Sequence, residues 1–295
     1  MFTTLVVGID GADGGRDALE LAHALAGEHS DVILVTVVPD QTTPIRASDG
    51  AYTKLVRDDA RTRLESVAAT DPRYRSWVAG DSSPARALHD VAAETNADLI
   101  VVGSAHRGAI GRILLGDVSR SVLHGAPCTV AVAPRGFHAH PHTSIATIGV
   151  GVNSTRESDA ALALAAELAE EAGASLRLLT AVAIPTAMAP AYAYAYNWTD
   201  IEADNRTFAE QHLTELKGSL NVPADTVVVS ANAAIALEEL SGDVDVIVAG
   251  SRGWGAAKVV VLGSTTDRLV HHAHCPVLVV PGPVAARQPE EAVHA

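Results

Sequence analysis

Two loops carry residue types suited to holding an anion. "GSRGWGAAKVVVLGS" (residues 250–264) follows the apolar run Val246-Ile-Val-Ala, and "GSAHRGAIGRILLGD" (residues 103–117) follows Leu99-Ile-Val-Val. A glycine-rich turn from a strand into a helix lets backbone N–H groups approach phosphate oxygens with no Cβ in the way. The helix that follows adds partial positive charge at its first turn. In the later loop Gly250 and Gly253 shape the turn, and Gly263, Ser264, Thr265 and Thr266 offer N–H and hydroxyl donors at the helix entrance. In the earlier loop His106 stands at the place of Gly253 and Asp117 at the place of Ser264. A histidine adopts positive φ only at some cost. Asp117 either sets a carboxylate beside a phosphate or, as a helix N-cap, fills the anion's place itself. The glycines also have a plainer reading, that they only permit tight strand–helix packing, and residue chemistry leaves both open.

Other candidates carry less. The linker histidines His138, His140 and His142 and the group His271, His272, His274 and Cys275 lack a second pair at zinc-finger spacing. The first group reads as part of a flexible linker and the second as a turn into a strand. Cys128 and Cys275, the two cysteines of the chain, sit at equivalent places just before apolar runs and read as buried, unreactive thiols. Neither a Gly-x-Ser-x-Gly elbow nor a Gly-Lys-Ser/Thr phosphate loop is present. Asp58-Asp59 and Glu238-Glu239 read as solvated helix faces, and nothing forms an acid–base pair for catalysis.

The elements that must position these loops repeat along the chain. "LVVGIDGADGGRDALELA" from Leu5 aligns with "IGVGVNSTRESDAALALA" from Ile148, pairing Asp10 with Asn153. Thr36 pairs with Thr180, "ADLIVVGS" with "VDVIVAGS", and "APCTVAVAP" with "AHCPVLVVP". The offset grows from 153 − 10 = 143 to 250 − 103 = 147 residues, which places a short insertion near residues 187–198. Two domains are therefore expected over 1–135 and 144–282, with a linker at 136–143 and a polar tail at 283–295. In the first half, strands are expected near 4–10, 31–38, 74–79, 98–103 and 128–133. Helices are expected near 14–28, 51–70, 83–95 and 112–124, the third starting at Ser82-Ser83-Pro84. Alternation of this kind implies an α/β fold of two tandem doubly wound, Rossmann-like domains, each with a five-stranded parallel sheet flanked by helices. Ligands of such sheets lie beyond the carboxyl ends of the strands, so Asp10, Val37 and Gly103 should converge.

Composition narrows the class. A net charge of −14 over 295 residues argues against broad attraction to nucleic acid or anionic lipid, though not against local phosphate binding by backbone N–H groups. Two cysteines, an N-terminus that starts as a strand and no apolar run near the ~20 residues of a bilayer span point to a cytoplasmic protein. The stretch "AYAYAYNWTD" (residues 191–200) concentrates aromatics in a chain with 4% of them and suits either a lid, a protomer contact or a self-packed insertion.

The pattern Gly250-x2-Gly253-x9-Gly263-Ser264, the "VVGID" opening, the Thr-Val strand end near 36–37 and the closing "HCPVLVVP" resemble the universal stress protein family, in its tandem two-domain form common in actinobacteria. The resemblance implies ATP or another adenine nucleotide as ligand, with Mg²⁺ an option, and a regulatory role in stress response. It carries the adenosine contacts to Asp10 and Val37 in the first half and to Asn153 and Ala181 in the second. Ribose and phosphate contacts fall on Gly250, Arg252, Gly253, Gly263, Ser264, Thr265 and Thr266, with counterparts at Gly103, Gly116, Val118 and Ser119. It also implies an internal pseudo-dimer through the last strands, and a homodimer of the whole chain. The second half keeps the full glycine pattern but has neutral Asn153, whereas the first keeps Asp10 but has His106 and Asp117, so the second site is expected to bind more tightly. Slow ATP hydrolysis and a nucleotide-independent protein-interaction role stand as alternatives.

Overall fold

The computed structural model describes residues 2–39, 47–105, 111–139, 144–182, 198–251 and 260–282. The first half runs β1 (Phe2–Gly8), α1 (Asp13–Leu25), β2 (Ala26–Val38), α2 (Ala47–Ala68), β3 (Tyr74–Gly80), α3 (Pro84–Glu94), β4 (Leu99–Gly103), α4 (Asp117–Leu123) and β5 (Thr129–Ala133). After a 3-10 turn at Phe137–Ala139 come β6 (Thr147–Gly151), α5 (Arg156–Ala172), β7 (Ser175–Val182) and α6 (Trp198–Ser219). The chain then forms β8 (Ala224–Ser230), α7 (Ala233–Leu240), β9 (Val246–Gly250), α8 (Ser264–His272) and β10 (Val277–Val280).

The ten strands of the described residues join one sheet in the order β3-β2-β1-β4-β5-β10-β9-β6-β7-β8. Each half is parallel and doubly wound, as the alternation of strands and helices implies. The seam between the halves is antiparallel, with Val277 opposite Val132, Leu278 opposite Ala131 and Val279 opposite Val130. The central strands have both faces covered, which is why β5 (TVAVA) and β10 (VLVV) are buried throughout and show no polar alternation. Successive residues feed opposite faces. Leu99, Val101, Ala131, Ala133, Leu278 and Val280 pack on one side with α1 and α5. Ile100, Val102, Val130, Val132, Val277 and Val279 pack on the other with α3 and α7. Each core layer therefore runs through both halves.

Local chemistry sets most boundaries. Ser83 caps α3, its side chain accepting from the N–H of Arg86, and Pro84 takes the first turn, as its sequence suggests. Thr155 caps α5, and Gly173 at φ 65° closes it. Two helices are shorter than the apolar periodicity implies. The one expected over 14–28 ends at Leu25, because Gly27 N–H donates to Ser30 Oγ and Ser30 Oγ donates to the carbonyl of Phe2, which draws this segment to the edge of β1. The one expected over 112–124 begins only at Asp117, because Ile113 turns away to bury itself against the second half, its N–H bonded to the carbonyl of Ala273 at 2.9 Å.

The connection after β5 also differs from the flexible linker expected there. Asp17, on α1 and almost wholly buried, accepts hydrogen bonds from the backbone N–H groups of Gly136 and His138, both at 2.9 Å, and pairs with His138 Nδ1 at 2.6 Å. The start of the linker is thus docked on α1 by one carboxylate. His140 and His142, the Ala/Tyr-rich stretch up to Asn197 and the tail lie outside the described residues. Among the described residues no helix is long and apolar enough to cross a membrane.

Removing a buried carboxylate that serves two backbone donors leaves those donors unpaired, at a cost of about 2–4 kcal/mol. Asp17→Ala should therefore lower the urea midpoint markedly, with proteolytic cleavage appearing first around residues 135–139. His138→Ala, which removes only the imidazole, should cost less than half as much in the same titration.

Candidate functional site

At the strand ends the two halves use the same scaffold. Ile9 N–H donates to the carbonyl of Val35 and Thr36 Oγ1 donates to the carbonyl of Ile9, at 2.8 and 2.9 Å. Val152, Leu179 and Thr180 repeat this at 2.8 and 2.9 Å. The turn after the first strand of each half is thereby fixed against the end of the second, and that turn carries Asp10 or Asn153.

The two turns are completed differently. Asp10 Oδ1 accepts from the N–H groups of Ala12 and Gly15 at 2.9 and 3.0 Å. A Cβ on Gly15 would lie 2.9 Å from that oxygen, so any larger residue there would make the carboxylate shift. In the second half Ser158 occupies the equivalent helix position, and its hydroxyl accepts from the N–H of Asn153 at 3.0 Å. Asn153 Oδ1 instead accepts from Thr155 Oγ1 at 2.6 Å. Asp10 with Gly15, and Asn153 with Ser158, are two matched solutions to one turn.

Each turn opens onto a cavity at the switch point between the first and fourth strands. Cavity one, about 670 Å³, brings together Asp10, Val37, Gly103, Gly116, Asp117, Val118 and Ser119. Cavity two, about 430 Å³, brings together Asn153, Ala181, Gly250, Gly263, Ser264, Thr265 and Thr266. Arg252, Gly253 and His106 lie outside the described residues. Where Gly14 and Gly15 floor cavity one, the larger Glu157 and Ser158 line cavity two.

The glycines of the loops divide into two kinds. A Cβ on Gly103 would sit 2.1 Å from the carbonyl oxygen of Gly14, and one on Gly250 would sit 2.5 Å from that of Glu157. These strand-end glycines are required by the approach of α1 and α5, which is the packing reading. Gly116 is different. It is the N-cap of α4 at φ −81° and ψ 169°, a conformation open to any residue, and among the described residues a Cβ there would meet only Ala105, at 3.5 and 3.7 Å, in ordinary contact. Gly263 caps α8 in the same conformation, at φ −81° and ψ 162°. Neither φ nor packing demands a glycine at 116; an occupant lying against the backbone would.

The hydroxyls also divide. Ser119 Oγ and Thr266 Oγ1 donate to the carbonyls of Gly103 and Gly250 at 2.6 and 2.8 Å, tying each helix to its strand. Ser104 Oγ, in the wall of cavity one, is buried with no hydrogen-bond partner among the described residues. Its counterpart Ser251 accepts from the N–H of Gly282 at 2.9 Å. Asp117 is the first residue of α4 with Gly116 as its cap, so it does not cap the helix with its own side chain. Its exposed carboxylate nevertheless faces cavity one, where cavity two has Ser264.

Five participants escaped the sequence reading: Gly14, Gly15, Ser104, Glu157 and Ser158. The glycine pair had a signal, since two poor helix formers in a first turn imply close approach. The others had none. Burial pushes the thiols of Cys128 and Cys275 up to about 12, with the nearby charges of Asp98 and Asp245 adding to the effect. No group of three metal-ligating side chains comes together among the described residues.

Comparison with known proteins agrees with this geometry. The model of the universal stress protein family matches twice, at residues 1–134 and 145–281. A universal stress protein of Thermus aquaticus is 32% identical over 134 residues, covering 44% of this chain and 97% of that protein. One of Mycobacterium tuberculosis is 30% identical over 142 residues, covering 44% and 95%. The crystal structure of a universal stress protein from Archaeoglobus fulgidus superposes over 94% of this chain and 98% of its own at a TM-score of 0.67 and 20% identity, a likeness of fold.

The two kinds of glycine should separate in stability measurements. Gly103→Ala forces a backbone clash and should destabilise by about 2 kcal/mol or more, whereas Gly116→Ala should stay within about 0.5 kcal/mol of the parent in denaturant titration. The native thiols should resist iodoacetamide at pH 8 for hours and react on unfolding.

Proposed function

The chain belongs to the universal stress protein family, and on that premise we propose that its two strand-end cavities bind an adenine nucleotide, ATP above all, in the service of a regulatory role in the cytoplasm. The observation that carries the reading is Gly116, a glycine that no contact among the described residues requires, at the mouth of a cavity whose wall also holds the Ser104 hydroxyl, without a partner among those residues. Backbone N–H groups at a helix entrance suit phosphate oxygens, and the apolar side chains of Val37, Val102 and Leu88 suit the face of a purine.

The cavities divide the nucleotide unequally. Cavity one is the larger and holds Asp10, a carboxylate acceptor for ribose hydroxyls, beside Ser104. It also holds Asp117, so its walls carry two carboxylates against the single Glu157 of cavity two. Cavity two offers neutral Ser264 and Thr265 at the first turn of α8, and its loop keeps Arg252 and Gly253 in sequence. Like charges close together raise the free energy of a bound polyphosphate. ATP therefore favours cavity two, while adenosine, with no phosphates, favours cavity one. Pairing of whole chains into a homodimer is part of the same proposal.

Calorimetric titration with ATP, ADP, AMP, cAMP and adenosine tests this. ATP should bind, Gly263→Val should weaken it more than Gly116→Val, and Asp117→Ser should tighten the weaker site by roughly fivefold, about 1 kcal/mol. A chain that binds none of the five would instead be a nucleotide-independent interaction module.

A further inference from the structure

Each helix-entrance loop is anchored in the opposite half. Ile113, three residues before the α4 cap Gly116, is buried, and its N–H donates to the carbonyl of Ala273 at 2.9 Å. Ala273 is the C-cap of α8. The reciprocal contact is made by Val260, three residues before the α8 cap Gly263. Its N–H donates to the carbonyl of Ala126 at 3.1 Å, and its carbonyl accepts from the N–H of Gly125 at 3.0 Å, just past the end of α4. Ile113, Ala126, Val260 and Ala273 are all buried in one apolar layer. Arg120 Nη2 and His271 Nε2, 3.3 Å apart, add a contact between α4 and α8 themselves.

These contacts close a circuit. From Gly116, α4 runs through the bonds of Arg120 N–H to Gly116 and His124 N–H to Arg120, and ends where Val260 is held. From Val260 the chain reaches Gly263, and α8 runs on through the bonds of Asp267 N–H to Gly263 and Ala273 N–H to Leu269, ending where Ile113 is held. Ordering one helix entrance orders the helix, and the helix end fixes the opposite loop.

We propose that Ile113 and Val260 are positioning residues that build each cavity's helix-entrance wall from the other half, and that filling one cavity thereby tightens binding at the other. The linkage rests on the nucleotide reading above, whereas the anchoring in trans does not. Its sign is positive because the entropic cost of ordering the circuit falls on the first ligand and is spared the second.

Amide hydrogen exchange on the full chain tests the anchoring without ligand. Val260→Pro removes the donor to Ala126, and Val260→Ala retains it. The proline variant should speed exchange at the Arg120 and His124 amides in the opposite half by about fivefold or more, while the alanine variant should not. Should the proline variant not fold, Arg120→Ala replaces it, read at the amides of Asp267 and Ala273. Unchanged exchange across the seam overturns the proposal whatever the chain binds. With ATP as probe, Gly116→Val should weaken binding at cavity two by about fivefold; affinity at cavity two that ignores cavity one also overturns the linkage. Altered exchange across the seam in a chain that binds no ATP supports the anchoring and overturns the nucleotide reading.

Discussion

The antiparallel ladder between β5 and β10 is the contact on which the rest of the molecule depends. Two five-stranded sheets, each with a hydrophobic strand at its inner edge, would expose Val130, Val132, Val277 and Val279 if they stood apart. Joined at Val132–Val277, Ala131–Leu278 and Val130–Val279, they leave only β3 and β8 as edges. The seam also makes each apolar layer continuous across the halves. Because it is antiparallel, it sets the turn before each last strand beside the loop after the other half's fourth strand. That proximity lets Ile113 reach Ala273 and Val260 reach Ala126. A parallel join would have carried both loops to one end of the sheet and left the turns at Ala126 and Ala273 at the other, out of their reach.

Strand-end geometry explains why two glycine loops that look alike in sequence contain glycines with different causes. Doubly wound packing brings the first turn of α1 against the end of β4, and Gly103 is the point of contact, with Gly14 carbonyl opposite. The same approach recurs at Gly250 and Glu157. That contact holds the fourth strand close under the first helix and leaves open, on the other side, the cleft that the α4 and α8 caps face. The first glycine of each loop therefore belongs to the fold, and the last faces the cleft.

Much of this was legible in the sequence because its causes are local. Apolar runs such as Leu99-Ile-Val-Val mark strands buried on both faces, the repeat fixes the number of domains, and strand order places Asp10, Val37 and Gly103 at one end of the sheet. The rest depends on contacts far apart in the chain. Ile113-Leu-Leu has helical spacing, yet Ile113 is committed to a turn of the other half and the helix starts later. Asp17 sits on a helix that reads as amphipathic, and nothing nearby shows that it receives the N–H groups of Gly136 and His138. That Ser104 Oγ is buried with no partner among the described residues depends on the residue equivalent to Gly282, because in the second half Gly282 N–H donates to Ser251 whereas in the first Arg135 N–H turns to the carbonyl of Arg112.

Divergence between the halves has proceeded by matched pairs, and this bears on how unequal the two cavities are. Asn153 in place of Asp10 looks like the loss of a charge at a ligand contact. Within the turn it is part of an exchange: in the first half Gly15 N–H donates to Asp10 Oδ1, whereas in the second Ser158 Oγ accepts from Asn153 N–H and Ser158 N–H donates to Thr155 Oγ1. A carboxylate at 153 in the position that Asp10 holds would have to shift away from the Cβ that Ser158 carries and Gly15 lacks. Asp117 has no such partner: it stands at the first position of α4 with no side-chain cap bond at that terminus, and no compensating change in the described wall of cavity one answers it. A substitution absorbed by its neighbour reports on folding, and one left unabsorbed at a cavity mouth reports on what the cavity must admit or refuse. By that measure Asp117, rather than Asn153, is the difference between the halves that folding leaves unexplained.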